Sequence, residues 1–186
     1  MKRAFDIFFA LIAVAPSCVL ALLIALAIRL TSEGPVIYWS KRVGKNNVLF
    51  DMPKFRTMRV DTPAMATHLM TNASAYLTPI GGFLRRSSLD ELPQFWCILT
   101  GKMSLVGPRP ALFNQYDLIE MRTRAGVDIL TPGLTGWAQV NGRDELPLEL
   151  KVQYDKEYLA RKTLIFDLFI LWRTARKVLN RENVSH

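Results

Sequence analysis

Ala4 to Leu30 is an almost unbroken apolar run, interrupted by polar side chains only at Asp6, Ser17 and Arg29. From Gly34 onward, apolar and polar positions alternate or cycle, as in a chain folding around its own core. Val36-Ile37-Tyr38-Trp39 and Val48-Leu49-Phe50 read as strands flanking Gly44-Lys45-Asn46-Asn47, a hairpin turn. Helical spacing predicts elements from Thr78 to Arg86, and from Leu92 to Leu99 with Gly101 as the stop. It predicts another from Asn114 to Arg124, with Tyr116, Ile119 and Thr123 on one side and Gly126 beyond its end, and one from Pro147 to about Arg161. Residues 60 to 76 are weakly patterned and read as a loose helix. Pro132-Gly133 suits a type II turn, leading into a short strand and loop from Ala138 to Arg143.

Thr163 to Arg181 is apolar early and basic late. That pattern predicts an amphipathic helix lying in the headgroup plane; a core helix with a basic tail is the competing reading. The expected fold is α+β and helix-rich. It divides into a membrane segment (1–30), a small globular domain with a β-hairpin (31–162) and the interfacial helix (163–186).

The N-terminal run decides how the chain meets lipid. As one straight helix it would reach about 40 Å, ample for a hydrocarbon core of about 30 Å. Pro16 divides it into arms of about 18 and 21 Å, each too short to cross alone. Ser17 stands beside the break, placed to re-satisfy a freed backbone group. Lys2 and Arg3 precede the run, and Arg29, Lys41, Arg42 and Lys45 close it. A single span would put one basic cluster on the wrong side. A helix–break–helix that enters one leaflet and returns is therefore ranked first, a single span second and a cleaved leader third.

Composition narrows the partners. Half the residues are hydrophobic, yet the formal net charge is +8. A surface of anionic lipid, or a phosphate-rich ligand, satisfies both properties. Nucleic acid would explain the charge and leave the hydrophobicity unexplained. Cys18 and Cys97 lack metal spacing and sit in apolar stretches, and His68 and His186 form no constellation.

The candidate chemistry lies in Ser87-Ser88-Leu89-Asp90-Glu91-Leu92-Pro93, preceded by Arg85-Arg86. Ser88 and Glu91 fit an ordinary capping box, and on local sequence that structural account outweighs catalysis. The alternative uses the same geometry. A carboxylate at a helix start, with Arg85 and Arg86 nearby, is held ionised as a nucleophile, and its neighbour helps bind Mg²⁺. Lys54 and Arg56 alternate, so on an extended chain they share one face and reach one anion; a solvated edge strand competes evenly. In Gly107-Pro108-Arg109-Pro110, two prolines restrict one guanidinium, suiting diphosphate recognition or a mere rigid connector.

Taken in order, several blocks resemble the bacterial sugar transferase family, the small monotopic polyprenyl-phosphate phosphoglycosyl transferases. They are Lys2-Arg3-Ala4-Phe5-Asp6, Gly34-Pro35-Val36, Lys54-Phe55-Arg56-Thr57-Met58, Leu84-Arg85 with Ser88 to Gln94, Met103 to Pro110, and Pro132 to Arg143. The resemblance implies a ping-pong reaction on the cytoplasmic face of the bacterial inner membrane. Asp90 would take a phosphosugar from a UDP-sugar, releasing UMP, and pass it to undecaprenyl phosphate. Asp90 and Glu91 would hold Mg²⁺, and Arg85, Arg109 and Arg143, with Lys54 and Arg56, would contact phosphate or nucleotide. A re-entrant membrane helix is likewise implied, and a homodimer stays open. One departure stands out: the helix break at Ala15-Pro16 falls about one turn before Cys18-Val19, where the family's Ser-Pro would lie. A non-catalytic membrane scaffold, and a glycosyltransferase releasing UDP, are the rival readings.

Overall fold

The computed structural model describes residues 1–62, 73–142 and 146–180. Strands β1 (Ile37–Val43) and β2 (Leu49–Phe55) form the expected antiparallel hairpin, in register from Val43↔Leu49 to Ile37↔Phe55. A 3₁₀ turn at Lys45–Asn47 joins them, with Asn46 and Asn47 at φ 54° and 59°, a region asparagine tolerates. Both strands outrun the sequence expectation. Pro53 interrupts the β2 pattern but pairs with Trp39, and proline is tolerated in an edge strand. The other edge of β1 is covered: the Val43 amide donates to the Ala111 carbonyl at 2.9 Å, and Arg42 bridges Leu112.

Then follow α2 (Gly81–Arg86), a 3₁₀ helix (Leu89–Gln94), α3 (Phe95–Leu99), β3 (Ser104–Val106), α4 (Tyr116–Arg124), β4 (Gly133–Thr135), α5 (Trp137–Val140), α6 (Leu148–Arg161) and α7 (Leu164–Asn180). Two expectations are corrected here. Gly133 is not the positive-φ corner of a type II turn; it opens β4, which pairs in parallel with β3. A Cβ at Gly133 would stand 2.1 Å from the Gly107 nitrogen, so the glycine serves close backbone approach. Trp137 to Val140 is one helical turn rather than a strand, its Val140 amide reaching back to the Gly136 carbonyl at 3.1 Å. In α4 the buried side chain is Leu118, while Tyr116 faces solvent.

The main core joins Met52, Ile98, Met103, Val106, Val140, Tyr158 and the α7 residues Phe166 and Ile170. Helix α7 bears out the core-helix reading on one side. One face enters the core, while Ile165, Leu168, Phe169 and Trp172 remain exposed on another. Asp167, in its apolar half, is buried and accepts from the Tyr158 hydroxyl at 2.7 Å and the Lys2 ammonium at 2.6 Å.

Helix α1 (Lys2–Thr31) is long and apolar enough to cross a membrane. It continues through Pro16, and Ser17 Oγ donates to the Ala13 carbonyl at 2.6 Å, not to the Ile12 carbonyl whose donor Pro16 removes. Both ends are packed on the globular body. At the start, Arg3 donates to the carbonyls of Ile98 and Leu99, and buried Asp6 accepts from Ser104 Oγ at 3.0 Å and the Leu105 amide at 3.1 Å. At the end, Ile24 and Ile28 join Phe55 and Leu84 in a second cluster. Between them Leu11, Ile12, Val19, Leu20, Leu22 and Leu23 are exposed.

Candidate active site

Asp90 and Glu91 lie in the 3₁₀ helix between α2 and α3, pressed against β2. No capping box forms. Ser88 sits at φ 56°, ψ 17°, a left-handed conformation unusual outside glycine, and its side chain makes no cap bond. That kink ends α2 and turns the following residues inward, leaving Asp90 only 8% exposed. The regular α-helix starts at Phe95, so the dyad precedes it rather than occupying its first turn.

Burial dominates the electrostatics. Desolvation pushes the Asp90 carboxyl above the ordinary carboxylate range; Lys54 opposes this, Glu91 adds to it, and Arg85 and Arg109 oppose it further. Burial, the largest influence on Asp90, thus acts against the cations grouped around it. Glu91 carries the local ion pairs, with Lys54 Nζ at 3.0 Å and Arg109 Nη2 at 3.3 Å from the same Oε1. Burial pushes the Lys54 ammonium down, with Glu91 as the main opposing influence. Asp90 therefore stands beside an anion already bridged to two cations.

Arg85 belongs to this group: its Nε donates to the buried Thr57 Oγ1 at 2.9 Å, and Asp90 is the charge acting on it. Arg56 does not. Strand β2 ends at Phe55, so the alternation that would align Arg56 with Lys54 stops there. The Arg56 guanidinium instead donates to the carbonyls of Glu33 and Ser32 and, at 2.9 Å, to Ser32 Oγ, clasping the end of α1. Arg143 lies outside the described residues. Pro16 is in α1, remote in sequence from these groups.

Thr57, Arg122 and Asp155 were missed at the level of sequence. Arg122 holds Asp155 Oδ2 through Nε at 2.9 Å and Nη2 at 2.7 Å, while its Nη1 donates to the backbone carbonyl of Arg109 at 2.8 Å. A signal for Asp155 was present: Val152, Asp155 and Tyr158 recur at three-residue spacing, an acid on the buried stripe of α6.

A cleft of about 690 Å³ opens beside Glu91 and Arg109. It is bounded by α2 and the 3₁₀ helix on one side and by β4, α5 and α7 on the other, and apolar side chains dominate its walls. Neither Asp90, Lys54 nor Arg85 lines it.

Among the described residues no three His, Cys, Asp or Glu side chains gather as a metal cage. Two adjacent carboxylates suit Mg²⁺, which uses one or two protein acids and completes its shell with water and substrate phosphate. The donor set fits that ion better than one demanding a full protein cage.

A family model described as bacterial sugar transferase matches residues 1–181. The UDP-glucose:undecaprenyl-phosphate glucose-1-phosphate transferase of Xanthomonas campestris pv. campestris is 41% identical over 171 residues, covering 88% of this chain and 35% of that protein. The undecaprenyl-phosphate galactose phosphotransferase of Salmonella typhimurium is 35% identical over 204 residues, covering 98% of this chain and 41% of that one. An uncharacterized sugar transferase of Bacillus subtilis, EpsL, is 35% identical over 185 residues, 100% of this chain and 90% of the relative. The chain thus spans less than half the length of the first two and nearly all of the third.

Proposed function

Since the chain belongs to the bacterial sugar transferase family, we propose that it moves a sugar-1-phosphate from a UDP-sugar to undecaprenyl phosphate. The carrying observation is buried Asp90 next to half-buried Glu91, set among Lys54, Arg85 and Arg109 beside an amphipathic cleft. In the first step an Asp90 carboxylate oxygen bonds to the β-phosphorus. The bond from that phosphorus to the bridging oxygen breaks, and UMP leaves with the electron pair. In the second step an oxygen of the lipid phosphate attacks the same phosphorus, the bond to Asp90 breaks, and the aspartate returns to its starting state. The product is a polyprenyl-diphosphate sugar, the lipid-linked start of a glycoconjugate.

Lys54, Arg85 and Arg109 balance charge as two anions approach, and Arg109 suits a phosphate oxygen pair. Glu91 keeps Lys54 and Arg109 aligned until substrate arrives. Asp90 and Glu91 would hold Mg²⁺, which when bound neutralises diphosphate charge. Burial has a second use: a desolvated carboxylate is a stronger nucleophile than a hydrated one once a counter-charge is present.

The protein is read as lying on the cytoplasmic face of the inner membrane with α1 dipping into one leaflet. Supporting this, both ends of α1 are fastened to one globular body, whereas a single span would separate them by the bilayer. Incubation with UDP-sugar and Mg²⁺ but no lipid tests the chemistry. UMP should appear stoichiometrically with protein, with a mass increment on Asp90. Release of UDP, or a label on another residue, would overturn it.

A further inference from the structure

The cleft beside Glu91 has walls of unlike chemistry. Helix α7 presents Leu171, Thr174, Lys177 and Val178 to it, a stripe at three- and four-residue spacing. This stripe is separate from the α7 residues Phe166 and Ile170 that fill the core. Opposite stand Phe83, Leu92 and Phe95, with Arg86 on the same side. At the rim Phe83 is 60% exposed and Val178 56%, so the apolar lining continues to the outer surface.

A nucleotide sugar offers an apolar wall only the faces of its base; its diphosphate and hydroxyl-rich rings would lose water there without replacing the hydrogen bonds. An isoprenoid phosphate is complementary: its chain gains by burial, and its dianionic head needs cations at the inner end. Arg109 supplies such a cation next to the dyad, and Lys177 places a further positive charge along the α7 wall.

We infer that this cleft is the entry for the lipid acceptor, which rests on the reaction proposed above. Its phosphate lies toward Arg109, with its first isoprene units against Phe83, Leu92 and Leu171, and Lys177, beside exposed Val178, draws the anionic head in. The UDP-sugar is gripped outside the cleft, where Lys54 and Arg85 flank Asp90. The two substrates then reach one carboxylate by different routes. The cleft touches the dyad through Glu91, so the incoming phosphate arrives alongside the phosphosugar on Asp90.

Full-length Lys177→Gln, Val178→Glu and Phe83→Ser variants, assayed in lipid nanodiscs, separate the half-reactions. The last two alter exposed rim positions, which guards against misfolding. Lys177→Gln and Val178→Glu should each raise the KM for prenyl phosphate about tenfold. Phe83→Ser should weaken the preference for a long prenyl phosphate over a short, water-soluble one. The rate and size of the UMP burst without acceptor should stay within about twofold of the parent. A slowed burst with unchanged acceptor KM would assign the cleft to the donor and overturn the inference, as would no change in either. Equal competition by phosphatidylglycerol vesicles would make it a general headgroup site, also overturning it. If the parent protein gives no UMP burst, the reaction itself fails. Radiolabelled undecaprenyl phosphate binding, lost on Lys177→Gln or not, then still decides the cleft.

Discussion

Arg122 donates to the backbone carbonyl of Arg109 at 2.8 Å while its other nitrogens grip buried Asp155. Pro108 and Pro110 leave Arg109 little backbone freedom, so this tether fixes where its guanidinium emerges beside Glu91. Breaking a buried ion pair strands a charge, so Asp155→Ala should cost about 3–5 kcal/mol in chemical denaturation. Arg122→Lys keeps the charge but loses the fork. It should fold, and raise the KM for prenyl phosphate about tenfold with a smaller change in kcat. A variant equal to the parent in both constants would remove Arg122 from the positioning of Arg109.

Asp90 should trade stability for reactivity. An acid with a raised folded pKa stabilises the fold while protonated, below its unfolded pKa, and that contribution is lost as pH rises through the folded value. Ionising Asp90 in the folded chain therefore costs stability, in the direction that burial sets. In chelator and without nucleotide, Asp90→Asn should melt higher than the parent at pH 7, the gap closing below about pH 4. UMP release should be absent. A lower melting point for the variant at pH 7 would contradict the dominance of burial.

Arg56 should behave as a structural clasp. Its alanine variant leaves carbonyls at the end of α1 without their charged donor, costing about 1–3 kcal/mol. Donor KM should hold within about twofold. Steady-state kinetics beside thermal melting separates the two roles, and a large rise in donor KM would return Arg56 to the phosphate site.

Two alanine substitutions at glycine should differ in size. A Cβ at Gly136 would stand 2.1 Å from the Gly107 carbonyl oxygen, so alanine must force α5 away from the turn that leads to Arg109. The expected loss is more than about 3 kcal/mol, with UMP release falling alongside. Gly126 has φ 69° and nothing near its virtual Cβ, so alanine there pays only for backbone strain, about 1 kcal/mol. Denaturant midpoints of both variants check the ranking.

What was legible in the sequence depended on range. The hairpin around Asn46 and Asn47, α6, α7 and the stop at Gly126 follow from neighbours a few residues apart, and those elements appeared where spacing placed them. Gly133 was misread because its constraint is the Gly107 backbone, far away in sequence. Arg56 was misassigned because its partners are carbonyls that become available only where α1 stops. The dyad itself was readable as a block of residue types. The opposition between its burial and its cations was not, since desolvation is decided by what packs over Asp90. Thr57, Arg122 and Asp155 act through other residues, and only Asp155 left a trace, as a carboxylate on an apolar stripe.

The ties from Lys2 to Asp167 and from Arg3 to the Ile98 and Leu99 carbonyls join the beginning of the chain to parts translated much later. Until α7 has been made, the Lys2 ammonium has no Asp167 to pair with, so the start of α1 docks on the globular body only once the rest of the fold is in place.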